Sequence, residues 1–405
     1  MRELVERILS GEVEATLLGI GPMTETVIEA ALELGRDEGF PVIFIASRNQ
    51  IDSKEFGGGY VMGWDQREFV GRITRAAEEA GFKGPLYICR DHGGPWQRDE
   101  EMKGKLSPDE AMARAKRSFE EDIKAGFHLL HIDPTKDPHI GPPVPLKIVM
   151  ERTIELLRFT SRIGDVEYEI GTEETSGGLT DPEVFERFIR ELLGKLESEG
   201  LKKPCFIVGQ TGTLVRMDEN VGRFDPEKAR QLAGIAAKYG IGFKEHNADY
   251  LPEELLRMHP QLGITAANVA PEFGVAETKA YLKLADMERR AAEEGRISSP
   301  SGFDDVLMEA AFKSGRWRKW LKEEMKGLSD EEILSNPELL RKVTEISGHY
   351  VLSDEEVMAA RRRMFDNLRS SGALPDPEGW VRDRVKEAIM KYVEAFNLKG
   401  LVERM

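Results

Sequence analysis

The feature that most constrains this chain is a strand–helix alternation that recurs in eight units between residues 14 and 294. Short apolar runs stand at 14–20, 41–46, 85–90, 128–133, 166–171, 204–209, 241–246 and 263–269. Amphipathic helical patterns follow seven of them, at 24–38, 65–80, 108–125, 146–162, 182–199, 226–239 and 275–294. Thr24 and Ser107 are placed as N-caps. Parallel strands need long crossovers, so this alternation predicts an α/β fold. Eight units close naturally as a (β/α)8 TIM barrel. An open doubly wound sheet is the alternative, but no GxGxxG follows the first strand.

Beyond residue 296 the texture changes. The chain becomes rich in Glu, Lys, Arg and Leu, and helical patterns stand at 306–312, 316–325, 330–334, 337–346, 354–370 and 379–396. The expected organisation is a barrel over 1–295 that carries the active site, followed by an all-helical C-terminal extension over 296–405. The extension is placed over the barrel mouth or at a subunit contact.

Composition excludes several function classes. The net charge of −16 argues against binding to nucleic acid or to an anionic membrane. No apolar run approaches the roughly 20 residues that span a bilayer, and the N-terminus lacks the pattern of a signal peptide. The two cysteines, Cys89 and Cys205, lie inside predicted strands. They read as buried packing residues in a reducing cytoplasm.

Active sites of such barrels lie at the C-terminal ends of the strands. Those ends hold Arg48, Asn49 and Gln50 on the second unit, and Asp91 and His92 on the third. The fourth offers His131 and Asp133, and the fifth Glu169, Glu173 and Glu174. Gln210 follows the sixth, His246 and Asp249 the seventh, and Asn268 the eighth. Imidazoles and carboxylates on converging strand ends are the donor set of a catalytic divalent metal. His131 and Asp133 are two residues apart on one strand, so both are expected to point into the barrel. Glu169 points inward as well, where an unpartnered carboxylate is costly and a metal or cation is favoured. Taken singly, Asp91 and His92 also read as loop residues capping the next helix, and His131 as a hydrogen-bonded interior histidine. His128, His139, His259 and His349 read as structural or solvent-exposed. No GxxxxGK[ST] is present; Gly57-Gly58-Gly59, Gly177-Gly178 and the loop Gly209-Gln210-Thr211-Gly212-Thr213 are the segments able to offer backbone N–H groups to an anion. Arg361-Arg362-Arg363 reads as a solvated helix face.

The segments SRNQ, FGGGYVMGW, RDHGGPW, AGFHLLHIDPT, YEIGTEE, FIVGQTGTL, KEHNADY and GITAANVAPEFG occur in this order. In them the chain resembles the tagatose-bisphosphate aldolase subunit family usually called non-catalytic, a relative of the class II, metal-dependent ketose-bisphosphate aldolases. The resemblance covers about residues 20–290. It implies a (β/α)8 barrel and a place in carbohydrate metabolism. Members have been named as sugar-phosphate kinases, as partners of a separate catalytic aldolase subunit, and as metal-dependent 4-epimerases of ketoses or their phosphates.

Carried over from the related aldolases, Asp91 handles the proton on the C4 hydroxyl and His92 binds zinc. His246 is the second histidine ligand, and Glu169 or Glu173 the carboxylate ligand. Gln210 stands where those enzymes place another histidine ligand, a departure that bears on aldolase activity; Asn268 matches them. The combined expectation is a metal-dependent enzyme acting on a ketose or ketose phosphate by retro-aldol chemistry, as a C4-epimerase or class II aldolase. Asp91, Glu173 and Asp133 are its expected catalytic residues, and His92, Glu169, His246 and His131 its metal ligands. Arg48, Asn49, Gln50, Gln210, Asp249 and Asn268 are expected to contact the sugar. Zinc is the expected metal, with manganese or cobalt as alternatives, and a homo-oligomer is the expected assembly. The other reading is a non-catalytic subunit that stabilises an aldolase partner. A kinase is disfavoured because no nucleotide-phosphate loop is visible.

Overall fold

The computed structural model describes residues 1–172 and 178–405. Its centre is a closed, all-parallel barrel of eight strands. In chain order these are β1 (Leu17–Ile20), β2 (Val42–Ser47), β3 (Leu86–Gly93), β4 (Leu129–Ile132), β5 (Glu167–Ile170), β6 (Phe206–Val208), β7 (Gly242–Glu245) and β8 (Ile264–Val269). Each strand pairs with the next, and β8 closes the ring on β1 from Leu17↔Ala266 to Ile20↔Val269. All eight strands overlap the runs singled out in the sequence; most are apolar because both faces are covered, while β5 and β7 carry Glu169, Lys244 and Glu245 within them.

The wall helices begin and end where their local chemistry dictates. Thr24 caps Glu25–Glu38 by accepting from Val27 N, and Asp65 closes a capping box with Glu68 on Gln66–Ala80. Asp181 and Asp225 each cap a helix that opens on proline. A short helix, Asp99–Lys103, and a small hairpin, Val215–Arg216 with Glu219–Asn220, are additions that the strand–helix period does not contain.

The C-terminal region is helical as expected, with Phe303–Ser314, Pro337–Ser347, Glu355–Ser370 and Pro377–Ala395 its longer elements. One difference lies at 316–325, where two short 3-10 turns replace the expected helix. Phe303, Leu307, Val357, Met364 and Leu368 form an apolar cluster with Tyr281 and Leu284 of the helix Pro271–Glu293. The last helix is built differently. Val385, Ile389, Tyr392 and Phe396 belong to the same core as the barrel strands. Gly400 N and Val402 N then donate to Glu38 O and Gly39 O, fastening the chain end to the barrel wall. No helix among the described residues is long and apolar enough to cross a membrane.

Candidate active site

The site is built on a break in the β2–β3–β4 region. β3 runs in register with β2 up to Ser47↔Asp91. Against β4 the pairing jumps from Arg90↔Leu130 to Gly93↔Ile132, three residues on β3 against two on β4. The extra residue is a β-bulge, and His92 sits in it with φ of +43°. Successive strand side chains normally face opposite ways. The bulge lets both Asp91 and His92 turn to the barrel mouth. Gly94 (φ +146°) is needed just beyond: a Cβ there would lie 2.5 Å from Asp133 O.

Three imidazoles then surround one point. His92, His131 and His246 have ring centroids 4.9–5.2 Å apart. One donor atom from each, together with a carboxylate oxygen of Asp91, lie within 4.8 Å of one another. His131 and Glu169 are register partners across β4 and β5, so both face the interior. Lys244 and His246 reach the same interior from β7, two residues apart. Glu245 between them points the other way, to His259 Nε2 at 3.1 Å and Thr211 Oγ1 at 2.8 Å.

The hydrogen bonds set the tautomers. His92 Nδ1 donates to Asp133 Oδ2 at 2.6 Å; burial lowers this histidine, but Asp91 and Asp133 outweigh it and raise it to about 9, so Nε2 carries a proton that a metal would displace. His246 Nε2 donates to Glu169 Oε1 at 2.9 Å, which leaves its Nδ1 as a lone pair. His92 Nε2 and the His246 Nδ1 lone pair stand 3.3 Å apart. Two nitrogen ligands about 2.05 Å from one tetrahedral zinc stand about 3.3 Å apart. Two further buried atoms at the site, His131 Nε2 and Asn268 Oδ1, have no hydrogen-bond partner. The donor set therefore fits a divalent metal held by His92 and His246, with Asp91 and His131 beside them. The carboxylates behind the histidines are the outer supports that such ligands require.

The charge balance agrees with this arrangement. Burial pushes Asp91 up, but His92, His131 and His246 outweigh it and hold the carboxyl well below its ordinary range. Burial opposes ionisation of Glu169 too, yet Lys244 and the neighbouring histidines bring it down to about 2. Lys244 Nζ lies 2.6 Å from Glu169 Oε2. Asp133 is held low after burial is outweighed by His92 and His131, and it also accepts from Thr135 Oγ1 at 2.5 Å. Asn268 Nδ2 donates to Asp91 Oδ1 at 3.2 Å, leaving Oδ2 of that carboxylate for a ligand.

The structure thus brings together seven of the residues singled out in the sequence: Asp91, His92, His131, Asp133, Glu169, His246 and Asn268. Others sit differently. Arg48 is fully buried and holds Glu101 through two bonds of 2.8 and 2.9 Å, Asp52 at 3.0 Å and Gly94 O at 2.9 Å. Asn49 ties its loop to Gln97 O and Asp99 N, and Gln50 Oε1 accepts from Ser47 N. Asp249 Oδ1 accepts from Ala270 N and Glu272 N, capping the helix Pro271–Glu293. Gln210 is buried, and its backbone exchanges bonds with Thr180. Glu173, Glu174 and Gly177 lie outside the described residues. Lys244 was not singled out in the sequence. Its signal was there: a lysine two residues before His246 on a strand must share the histidine's inward face.

Fold and donor set together define a (β/α)8 barrel with a candidate divalent-metal centre at its mouth. The chain belongs to the D-tagatose-1,6-bisphosphate aldolase subunit GatZ/KbaZ-like family, whose model matches residues 1–391. Among solved structures, it is similar to a probable tagatose 6 phosphate kinase from Sinorhizobium meliloti 1021, with 21% identity and a TM-score of 0.75 over 94% of this chain and 100% of that one. It is similar at 14% identity and a TM-score of 0.51 to a putative fructose-1,6-biphosphate aldolase from Coccidioides immitis, over 100% of this chain and 97% of that one. Fructose-bisphosphate aldolase from Campylobacter jejuni gives the same identity and TM-score over 92% and 94% of the two chains. These likenesses establish the fold. A comparison with curated protein sequences finds no match.

Proposed function

We propose that this protein is a metal-dependent enzyme that acts on a ketose or ketose phosphate of the tagatose or fructose type by retro-aldol chemistry. The observation that carries the reading is the pair of ring nitrogens, His92 Nε2 and His246 Nδ1, set 3.3 Å apart beside the Asp91 carboxylate. A metal bound there supplies Lewis acidity to the C2 carbonyl and C3 hydroxyl of the sugar.

The chain's own groups do the rest. Asp91, charged and with Oδ2 unengaged by Asn268, takes the proton from the C4 hydroxyl. The C4–O bond becomes a carbonyl, the C3–C4 bond breaks, and its electron pair passes to C3 and the C2 oxygen. Asn268 holds Asp91 in place, and Asp133 and Glu169 hold the two histidines. Re-addition to the other face of the aldehyde gives the C4 epimer; release gives aldol cleavage. Glu173 completes the proposed catalytic set. Arg48 acts here through Gly94 and Glu101, as a support of the loop behind His92.

The test is metal analysis of the purified protein, with and without chelator, beside a panel of ketoses and ketose phosphates followed by NMR. About one zinc, manganese or cobalt per chain with chelator-sensitive turnover is the expected result. Turnover that persists in a metal-free His92→Ala/His246→Ala variant would sink the mechanism.

The family's description as an aldolase subunit favours one second reading, a barrel that stabilises a separate catalytic aldolase. Co-expression with a candidate aldolase and gel filtration separate the two. A stable complex that raises the partner's activity, with no metal and no turnover in this chain alone, supports the subunit reading.

A further inference from the structure

A cavity of about 350 Å³ lies between the barrel rim and the C-terminal helices. Its wall comes from the start of the helix Glu25–Glu38, the loop at 60–62, the helix Pro271–Glu293 and the helix Glu355–Ser370. None of its lining residues belongs to the Asp91–His92–His131–His246 cluster.

Two buried groups on this wall have polar atoms without partners. Glu277 is fully buried on the helix Pro271–Glu293; its Oε2 accepts from Thr24 Oγ1, and its Oε1 has no partner. His349 is 2% exposed, and neither of its ring nitrogens has a partner. Burial, with Lys319 and Arg316 nearby, lowers His349 to about 3. It is therefore a neutral imidazole with one N–H to give and one lone pair to fill. Buried polar atoms of this kind are normally satisfied. Burial raises the Glu277 carboxyl above its ordinary value, against the Thr24, Thr26 and Tyr281 hydroxyls and Arg361 beside it.

At the solvent side stand Arg361 and Arg362. Arg361 is half-buried, lies over the Tyr281 ring and donates to Tyr281 OH; Arg362 is exposed and has no ion pair among the described residues. The other charged groups on the wall are already engaged. Arg72 holds Glu25 and Glu29, Arg382 holds Glu29 and Glu33, and Arg369 holds Glu378. What remains for a ligand is a hydroxyl-binding floor and a guanidinium rim.

We propose that this cavity is a second ligand site, one that takes a phosphorylated sugar with its hydroxyls against Glu277 and His349 and its phosphate at Arg361 and Arg362. The volume suits a ligand of that size, and guanidinium groups match phosphate oxygens. The two arginines that read as a solvated helix face in the sequence thereby acquire a role. The site does not depend on the retro-aldol reading, because it uses none of the groups that carry it.

Calorimetric titration of the full-length, metal-replete protein with inorganic phosphate, fructose and fructose 6-phosphate tests it. Fructose 6-phosphate is expected to bind more tightly than either fragment. The Arg361→Ala/Arg362→Ala variant should lose about tenfold or more in that affinity, and Glu277→Gln, which keeps shape and volume, should weaken it too. The His92→Ala/His246→Ala variant should keep one binding event at wild-type affinity. Retained binding there, with no turnover and no metal in the wild type, would overturn the enzyme reading and leave this one standing. Loss of all binding in the histidine variant, unchanged affinity in the arginine variant whose circular dichroism is native, or no binding of either phosphate compound to the wild type would overturn the second site.

Discussion

Lys244 Nζ and Glu169 Oε2 form a 2.6 Å ion pair inside the barrel, with Lys244 4% and Glu169 0% exposed. The same carboxylate holds His246 through its other oxygen. Lys244 therefore acts on the site through Glu169. Lys244→Met leaves a buried carboxylate without its cation, and removing one partner of a buried pair costs about 3–5 kcal/mol. Chemical unfolding should register a loss of that order. The Lys244→Met/Glu169→Gln double variant should recover part of it, since the two changes are coupled through one contact.

Asp133 is the second outer support. Its Oδ2 accepts from His92 Nδ1, and its Oδ1 accepts from the Thr135 hydroxyl. Asp133→Asn keeps the shape but removes the anion that sets the His92 tautomer. Changes to such supports weaken metal affinity by about 10–100-fold. Competition against a chelator of known affinity should read a drop in that range, with the fold intact by circular dichroism.

Asp91 separates holding a metal from moving a proton. Asp91→Asn leaves three imidazoles around the same point. The expected outcome is a protein that still binds metal while turnover falls by about 10²–10⁴, the contribution of one positioned general base. Equal loss of metal and turnover would assign Asp91 to the ligand set alone.

How much of this was visible in the sequence follows from the range of the interactions involved. The eight strands were legible because most are short apolar runs, as burial on both faces favours; β5 and β7 carry their charged residues among apolar ones. The shared inward face of His131 and Asp133 was legible from a spacing of two. Both lie 3.0 Å from the place where a Cβ on Gly171 would stand. The bulge at His92 was not legible, because it is a mismatch between β3 and β4 and belongs to neither strand alone. Arg48 illustrates the same limit. It stands at a strand end, as the sequence says, but its side chain is claimed by Glu101, 53 residues on, in a short helix outside the strand–helix period. Asn49 and Gln50 likewise turn to backbone groups that only the folded loop supplies. Lys244 was within reach of the period-two rule.

Asp249 gives a pH dependence of known sign. Burial first, and the nearby Glu272 second, raise its pKa from 3.8 to about 7. An acid whose folded pKa lies above its unfolded value takes up a proton on folding. Its contribution to stability is fully present below pH 3.8 and is lost as pH rises to about 7. The slope in that window is at most about 1.4 kcal/mol per pH unit. Glu272 also accepts from Tyr250 N and from Tyr392 OH of the last helix, so charging Asp249 loads the joint between the β7 loop and the chain end. Asn at this position keeps a carbonyl oxygen for Ala270 N and Glu272 N but cannot ionise. Unfolding midpoints of wild type and Asp249→Asn, measured from pH 4 to pH 8, should therefore diverge steadily in favour of the variant up to about pH 7 and run parallel above it. Parallel curves across the whole range would mean that Asp249 titrates at its ordinary value, and that the pairing with Glu272 places no load on the joint.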